Sequence, residues 1–423
     1  MARTFLLGTH AVNSHVQNLA LALHELGLLG DWETGWVDLQ SAAVEASAQA
    51  WLRRRVPAVH RLLARRRILP ELEPFMRLNP GWEFARTASS RLGNFPLLTD
   101  WLHERATFAL ERRCARQMRL PKYSGFAGVE YGALEALRAA RQQGKVGMVA
   151  FLSPHHAFRR TWVDREYEKF PELLTPDVRR LEALGRERDR RRDAELLASD
   201  IVHAASQVTA ESLVAAGVRR ERLIVAPLGS PPPLSPDQLP RAPAKPMCVL
   251  YAGPVSVRKG AHHLLAAWRA LAPGKHAELH FCGKNLLPES LLASLPGNVV
   301  LHGSLPQDEV FRRYRTSTIL AFPSLCDGFG MVVSEALSQG LPVLTTANAG
   351  AAVMIEEGSN GFVAPAGDAQ ALRARLEWCL QNPAALHAMR EPALRAAAHY
   401  TWHRYRATVR AHLSAMLANL NAP

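Results

Sequence analysis

In the second half of the chain, short apolar runs alternate with amphipathic stretches. Residues 247–252, 277–282, 299–302, 319–323 and 342–345 read as buried strands, and residues 262–271, 308–316 and 331–339 carry helical spacing. Short apolar strands separated by helices predict a parallel sheet covered on both faces. The first half opens with a strand over 4–8. A helix over 16–27 follows, apolar at 16, 19, 20, 22, 23 and 26, with Gly27 suited to its C-terminal cap. Residues 146–152 read as a buried strand, and segments 196–203 and 223–226 as strand-bearing, flanking a helix over 210–216. The interval 40–120 reads as mostly helical and gives little positional information. Between the halves, Pro227 to Pro246 is too dense in proline for a helix or sheet interior.

A chain of 423 residues exceeds what one core usually serves, so two domains are expected. The predicted division is 1–228, a Pro-rich linker over 229–246, then 247–398. A C-terminal helix over 399–423 is placed to pack back on the first domain.

Composition narrows the options. No apolar run reaches the roughly 18 residues of a membrane span. The first apolar stretch is too short for a signal peptide and is interrupted by His10 and Asn13, so a cytoplasmic chain is expected. Cys114, Cys248, Cys282, Cys326 and Cys379 are scattered without a C-x-x-C pair, which predicts reduced, mostly buried thiols rather than disulfides or a zinc site.

The formal charge of +13 changes the picture more. Arg53, Arg54, Arg55, Arg61, Arg65, Arg66 and Arg67 fall within 51–67 with no acid among them, interleaved with Trp51, Leu52, Val56, Val59, Leu62 and Leu63. This reads either as a basic amphipathic helix in peripheral contact with the inner face of a membrane or as a solvated arginine-rich face. No binding module or aromatic–basic interleaving points to nucleic acid as a partner.

Candidate chemistry sits where the predicted strands end, the edge at which open α/β sheets bind ligands. Gly253-Pro-Val-Ser-Val-Arg258-Lys259-Gly260 joins a strand to a helix, and its paired cations suit a diphosphate. Phe322-Pro-Ser-Leu-Cys-Asp327-Gly328-Phe329-Gly330-Met331-Val-Val-Ser-Glu335-Ala336 runs from a strand through a glycine-punctuated loop into a helix. A helix N-terminus offers unpaired N–H groups and partial positive charge to a phosphate or sugar hydroxyl. Asp327 lies before that helix and Glu335 about a turn and a half inside it. The plainer reading makes Asp327 a helix cap and Glu335 a surface acid.

The D-G-F-G-M-V-V-S-E stretch resembles the signature of the family 4 retaining glycosyltransferases, an acid, seven residues and a glutamate written around E-G-F-G. The similarity extends over about 245–402: the Tyr251–Trp268 loop and helix, Ala336-Leu-Ser-Gln-Gly-Leu-Pro-Val-Leu, Glu357-Gly-Ser-Asn-Gly-Phe-Val-Ala-Pro-Ala-Gly-Asp368, and Tyr400-Thr-Trp402.

The resemblance implies the GT-B fold: two Rossmann-like, doubly wound α/β domains facing across a cleft, with the acceptor on the first and a nucleotide-diphosphate sugar on the second. It assigns Lys259 with Arg258 to the diphosphate. Asp327 goes to the sugar hydroxyls with the amides of Phe329, Gly330 and Met331, Glu335 to the ribose, and Ser304 and Leu305 to the base. Gly253 and Gly328 give the ligand room. His155 or His156 falls where members often carry a histidine near the donor sugar, and His10, Asn13 and Ser14 fall on the acceptor side.

Several features depart from the family pattern. Asp327 replaces the usual first glutamate, Pro254 stands where many members have arginine, and the Gly-Gly loop after the first strand is missing. No cofactor or metal is expected, because the chain has no D-x-D strand terminus or H-E-x-x-H pattern. The expected reaction is retaining transfer to a carbohydrate or lipid-linked acceptor in bacterial surface polysaccharide or glycolipid synthesis. The alternatives are another GT-B enzyme such as a sugar-nucleotide epimerase, or a non-catalytic scaffold subunit.

Overall fold

A computed structural model describes residues 4–39, 66–89, 96–242 and 245–420. Two all-parallel sheets organise them. The first contains β1 (Phe5–Gly8), β2 (Leu29–Thr34), β3 (Met76–Leu78), β4 (Gly125–Val129), β5 (Val146–Phe151), β6 (Ile201–Ala204) and β7 (Leu223–Val225). The second contains β8 (Met247–Ala252), β9 (Ala277–Cys282), β10 (Val299–Leu301), β11 (Ile319–Phe322), β12 (Val343–Thr346) and β13 (Gly361–Ala364). Their orders are β3-β2-β1-β4-β5-β6-β7 and β10-β9-β8-β11-β12-β13. Each order reverses beside its first strand, between β1 and β4 and between β8 and β11. Those reversals open the crevices in which such sheets bind ligands. The expected two doubly wound domains are therefore present.

Five strands of the second sheet lie within about a residue of their predicted bounds; β8, β11 and β12 are short, apolar and largely buried, whereas β10 is partly exposed and β13 was not predicted. The first half departs further from expectation. Residues 196–198 end the long helix Pro176–Ala198 rather than begin a strand; their buried, exposed, buried sequence, with Leu197 75% exposed, is a pattern that a strand would also show. β2, β3 and β4 fall in stretches that gave no strand signal. The basic segment 51–67 lies outside the described residues except Arg66 and Arg67. Arg66 turns inward, donating to the His10 carbonyl at 2.9 Å and pairing with Glu83 at 3.0 Å. Among the described residues no helix is long and apolar enough to cross a membrane. All five cysteines are free, and four are buried.

After the second sheet the chain returns to the first. Ser230 N–H donates to the Tyr400 carbonyl at 2.7 Å, so the outgoing and returning strands of chain run side by side. The helix Trp402–Asn419 then lies on the helix Ser14–Glu25, where Arg406 bonds Glu25 at 2.7 Å and Asn18 at 2.8 Å.

Tyr405 from that helix meets buried His203 edge-on at 5.5 Å. Burial, with His15 adding to it, lowers the His203 imidazole to about 4 from its usual 6.5. The unfolded chain therefore takes up this proton first. The contribution is complete above pH 6.5 and is lost as pH falls through about 4, to the extent of about 3 kcal/mol. Thermal melts between pH 7.5 and 4.5 should show that loss, and His203→Phe should remove its share while the similarly buried His15 keeps its own.

Candidate active site

The loops after β8 and β11 meet at the carboxyl edge of the second sheet. Gly260 makes the meeting possible: its φ is +71°, and a Cβ there would lie 1.8 Å from the Pro323 carbonyl oxygen. The amide of Leu325 donates to the Arg258 carbonyl at 2.9 Å, and Arg258 Nη1 donates to the Cys326 carbonyl at 3.3 Å. This lacing aims Lys259 at Asp327, and the Lys259 ammonium touches the Asp327 carboxylate directly. Burial, and then Arg258, push Lys259 well below the usual lysine range, while the contact with Asp327 favours the ammonium. Asp327 is fixed in turn by its own backbone, whose amide donates to Asn348 O at 3.0 Å and whose carbonyl accepts from Gly350 at 3.1 Å.

Beyond Asp327 the chain enters the helix Met331–Ser338, whose cap residue Gly330 is left-handed. Among the described residues, the amides of Phe329, Gly330 and Met331 donate to no protein acceptor. They are free for a ligand. Glu335, one turn further, accepts a 3.0 Å hydrogen bond from the buried Tyr314 hydroxyl, and burial raises its carboxyl pKa. Gly253 follows β8, and its amide donates to the Cys282 carbonyl at 2.9 Å. Ser304 and Leu305 follow β10 on the same edge, Ser304 exposed and Leu305 half-buried.

The first sheet supplies the facing wall. His155 caps the helix His156–Lys169, its Nδ1 accepting from the Ala157 amide at 3.2 Å. That assignment leaves the proton on Nε2, which donates to Asp193 at 3.1 Å; His156 Nε2 reaches the same carboxylate oxygen at 2.8 Å. Burial, then the neighbouring His156, lower the His155 pKa. A cavity of about 140 Å³ sets Glu130, Ser153, His155 and Arg159 opposite Arg258 and Cys326.

Glu130 also lines a second cavity of about 150 Å³ with Thr9, His10, Thr107 and Tyr131. His10 thus stands near the donor-side wall, whereas Asn13 and Ser14 sit exposed at the start of their helix and line neither cavity. A larger cavity of about 610 Å³, between Trp268, Lys275 and Asn298, opens at the amino end of β9, on the edge away from this chemistry.

The lobes touch at the mouth. A Cβ on Gly328 would lie 1.8 Å from the Leu152 carbonyl oxygen, and Thr209 Oγ1 donates to the Gly328 carbonyl at 3.3 Å. As found, Lys259 and Asp327 satisfy one another, so a ligand has to part them and the lobes to enter.

Sequence reasoning missed Glu130 and Asp193. Glu130 takes the amides of Leu152 and Ser153 at 3.1 and 3.0 Å and pairs with Arg192 at 3.2 Å, and burial raises its pKa. Glu130 follows β4, which gave no strand signal, so nothing in the sequence marked it. Asp193 lies in an arginine-rich helix and gave no signal either.

Residues 238–395 match the family model described as Glycosyl transferases group 1. The amylovoran biosynthesis glycosyltransferase AmsK of Erwinia amylovora is 30% identical over 183 residues, 40% of this chain and 45% of that protein. The matched part thus spans about half the length of the curated relatives. Among solved structures, Anabaena HepE in complex with UDP-glucose superposes with a TM-score of 0.60 at 16% identity, covering 98% of this chain and all (100%) of that one. Sucrose-phosphate synthase of Thermosynechococcus elongatus gives 0.60 at 17% identity, over 99% and 100%. The chain therefore has the GT-B fold, and its residues 238–395 are similar to the group 1 glycosyl transferases.

Proposed function

We propose that the protein is a retaining glycosyltransferase that moves a sugar from a nucleotide diphosphate to an acceptor hydroxyl. Residues 247–398 hold the donor and residues 1–228 the acceptor. The reading rests on one observation above all: Lys259, Asp327 and the free amides at the start of the helix Met331–Ser338 converge on the carboxyl edge of the second sheet, where the neighbouring Arg258 and Cys326 share a cavity with His155.

In this reading the diphosphate replaces Asp327 as the partner of Lys259, with Arg258 beside it. Freed, Asp327 takes donor-sugar hydroxyls together with the amides, and Glu335, held by Tyr314, takes the ribose. The acceptor oxygen attacks the anomeric carbon on the face the diphosphate leaves. The bond from that carbon to the phosphate oxygen breaks, and the acceptor proton passes to the departing phosphate. Lysine, arginine and helix mouth stabilise the charge that develops there, so the protein's work is positioning and electrostatics, with no metal required at the donor.

The similarity to CapM of Staphylococcus aureus, a capsular polysaccharide biosynthesis glycosyltransferase 30% identical over 134 residues, favours a polysaccharide acceptor. Exposed Trp82 and Trp101, ring centroids 5.9 Å apart, add an apolar patch on the acceptor lobe that suits a lipid-linked chain. Calorimetry against UDP-, GDP- and ADP-sugars, followed by NMR of the product anomer, tests the proposal. An inverted anomer removes the retaining mechanism, and no binding of any donor removes the enzyme.

Tyr314→Phe should raise the donor KM by about five- to tenfold with little change in kcat, the loss of one hydrogen bond that orients Glu335. Steady-state kinetics with varied donor would show it.

A further inference from the structure

A second cluster of titratable groups, unused by the proposed chemistry, joins the two lobes. The helix His156–Lys169 belongs to the first half of the chain, but Trp162 and Tyr167 on it, and Leu173 just after it, pack into the core of the second sheet. On this face Glu166 meets His262 and His263, in the first turn of the helix Ala261–Leu271. Glu166 Oε2 lies 2.8 Å from His262 Nε2 and 2.9 Å from His263 Nε2, and all three residues are buried. Lys169 engages the other carboxylate oxygen at 3.4 Å, leaving Oε2 to the imidazoles. His263 Nε2 has no hydrogen bond of acceptable geometry although it is buried and aimed at the carboxylate.

We infer that Glu166, His262 and His263 form a divalent transition-metal site that clips one lobe to the other. Two imidazole nitrogens and one carboxylate oxygen are the donor set that suits Zn²⁺ and its neighbours, with a fourth position left for water. The three ligand atoms lie within 4.8 Å of one another. Bonds of about 2.0–2.1 Å at tetrahedral angles place such atoms a little over 3 Å apart, so each imidazole nitrogen already lies within about half an ångström of its liganded distance from the carboxylate oxygen. The partners come from opposite halves of the chain, so a bound ion resists separation of the lobes.

The test uses the tag-free full chain, stripped with chelator and titrated with Zn²⁺ by calorimetry, with metal content read by atomic emission. The wild type should hold Zn²⁺ at this site and show a higher Tm with the ion. Glu166→Gln, which keeps the side chain's shape, and His263→Ala, each checked by circular dichroism, should hold one ion fewer per chain and lose the Tm response. Co²⁺ in the wild type should give the visible absorption of a nitrogen–oxygen tetrahedral site. Because Asp193 with His155 and His156 forms another cluster of ligand type, Asp193→Asn is the control and should leave the event in place. Unchanged stoichiometry in Glu166→Gln and His263→Ala, or loss confined to Asp193→Asn, overturns the inference. None of these readings depends on glycosyl transfer.

Discussion

On the proposed function, replacing Lys259 with alanine should lower turnover at saturating donor by about 100- to 1,000-fold, the effect of removing one preorganised partner of the departing charge. The loss is large because no other group can take its place. Arg258 is already bonded to the Cys326 carbonyl, and the helix mouth contributes only partial charge. The fold should survive. The loop is held through its main chain, with Leu325 donating to Arg258 O at 2.9 Å and Gly260 to Val257 O at 2.8 Å, and neither bond needs the lysine side chain. Measuring kcat beside a thermal melt separates the two effects; near-normal turnover would remove Lys259 from the chemistry. Arginine should not rescue, because a broad planar guanidinium does not fit where a slender ammonium is buried.

Gly328→Ala produces the second large effect, through sterics between lobes. Gly328 is not among the glycines with positive φ, so alanine fits its own backbone without strain. Its methyl would nevertheless lie 1.8 Å from the Leu152 carbonyl oxygen, where contacts under 3.0 Å essentially never occur. The obstructing atom is backbone and cannot swing aside, so the lobes have to stand more than an ångström further apart. Misplacement on that scale costs about 100-fold in rate. The expected result is a kcat lower by that factor, with donor affinity nearly kept because the second lobe's own groups are unmoved. Small-angle scattering with donor present should show a larger radius of gyration than wild type. A variant that closes and turns over normally would show that this contact plays no part in the catalytic state.

Most of the second half was legible because strands such as β8 and β11 are short apolar runs and its chemistry lies in loops with distinctive composition, although β13 was not recognised. The first half hid its sheet. In β2, Asp31 and Glu33 are buried, which destroys any simple strand pattern. They are neutralised by groups far away in sequence: Arg77 at 2.7 Å and Lys122 at 2.8 Å for Asp31, Arg113 at 2.8 Å for Glu33. Burial of β4 is hidden differently, since Gly125 is small so that the Phe5 ring can occupy its place. At the site, Lys259 and Asp327 could each be assigned a ligand, but their direct contact across 68 positions could not be read. Nor could the pairing of His155 and His156 with Asp193, which depends on how two helices dock.

The adjacent crossings at Ser230 and Tyr400 have a mechanical consequence. Two strands of chain bonded side by side behave like the leaves of a door hinge: they permit swinging about one line and oppose sliding or twisting. Each opening therefore returns the same faces to the same register, and cutting the chain between the crossings and the final helix would free a tilt that the intact protein forbids.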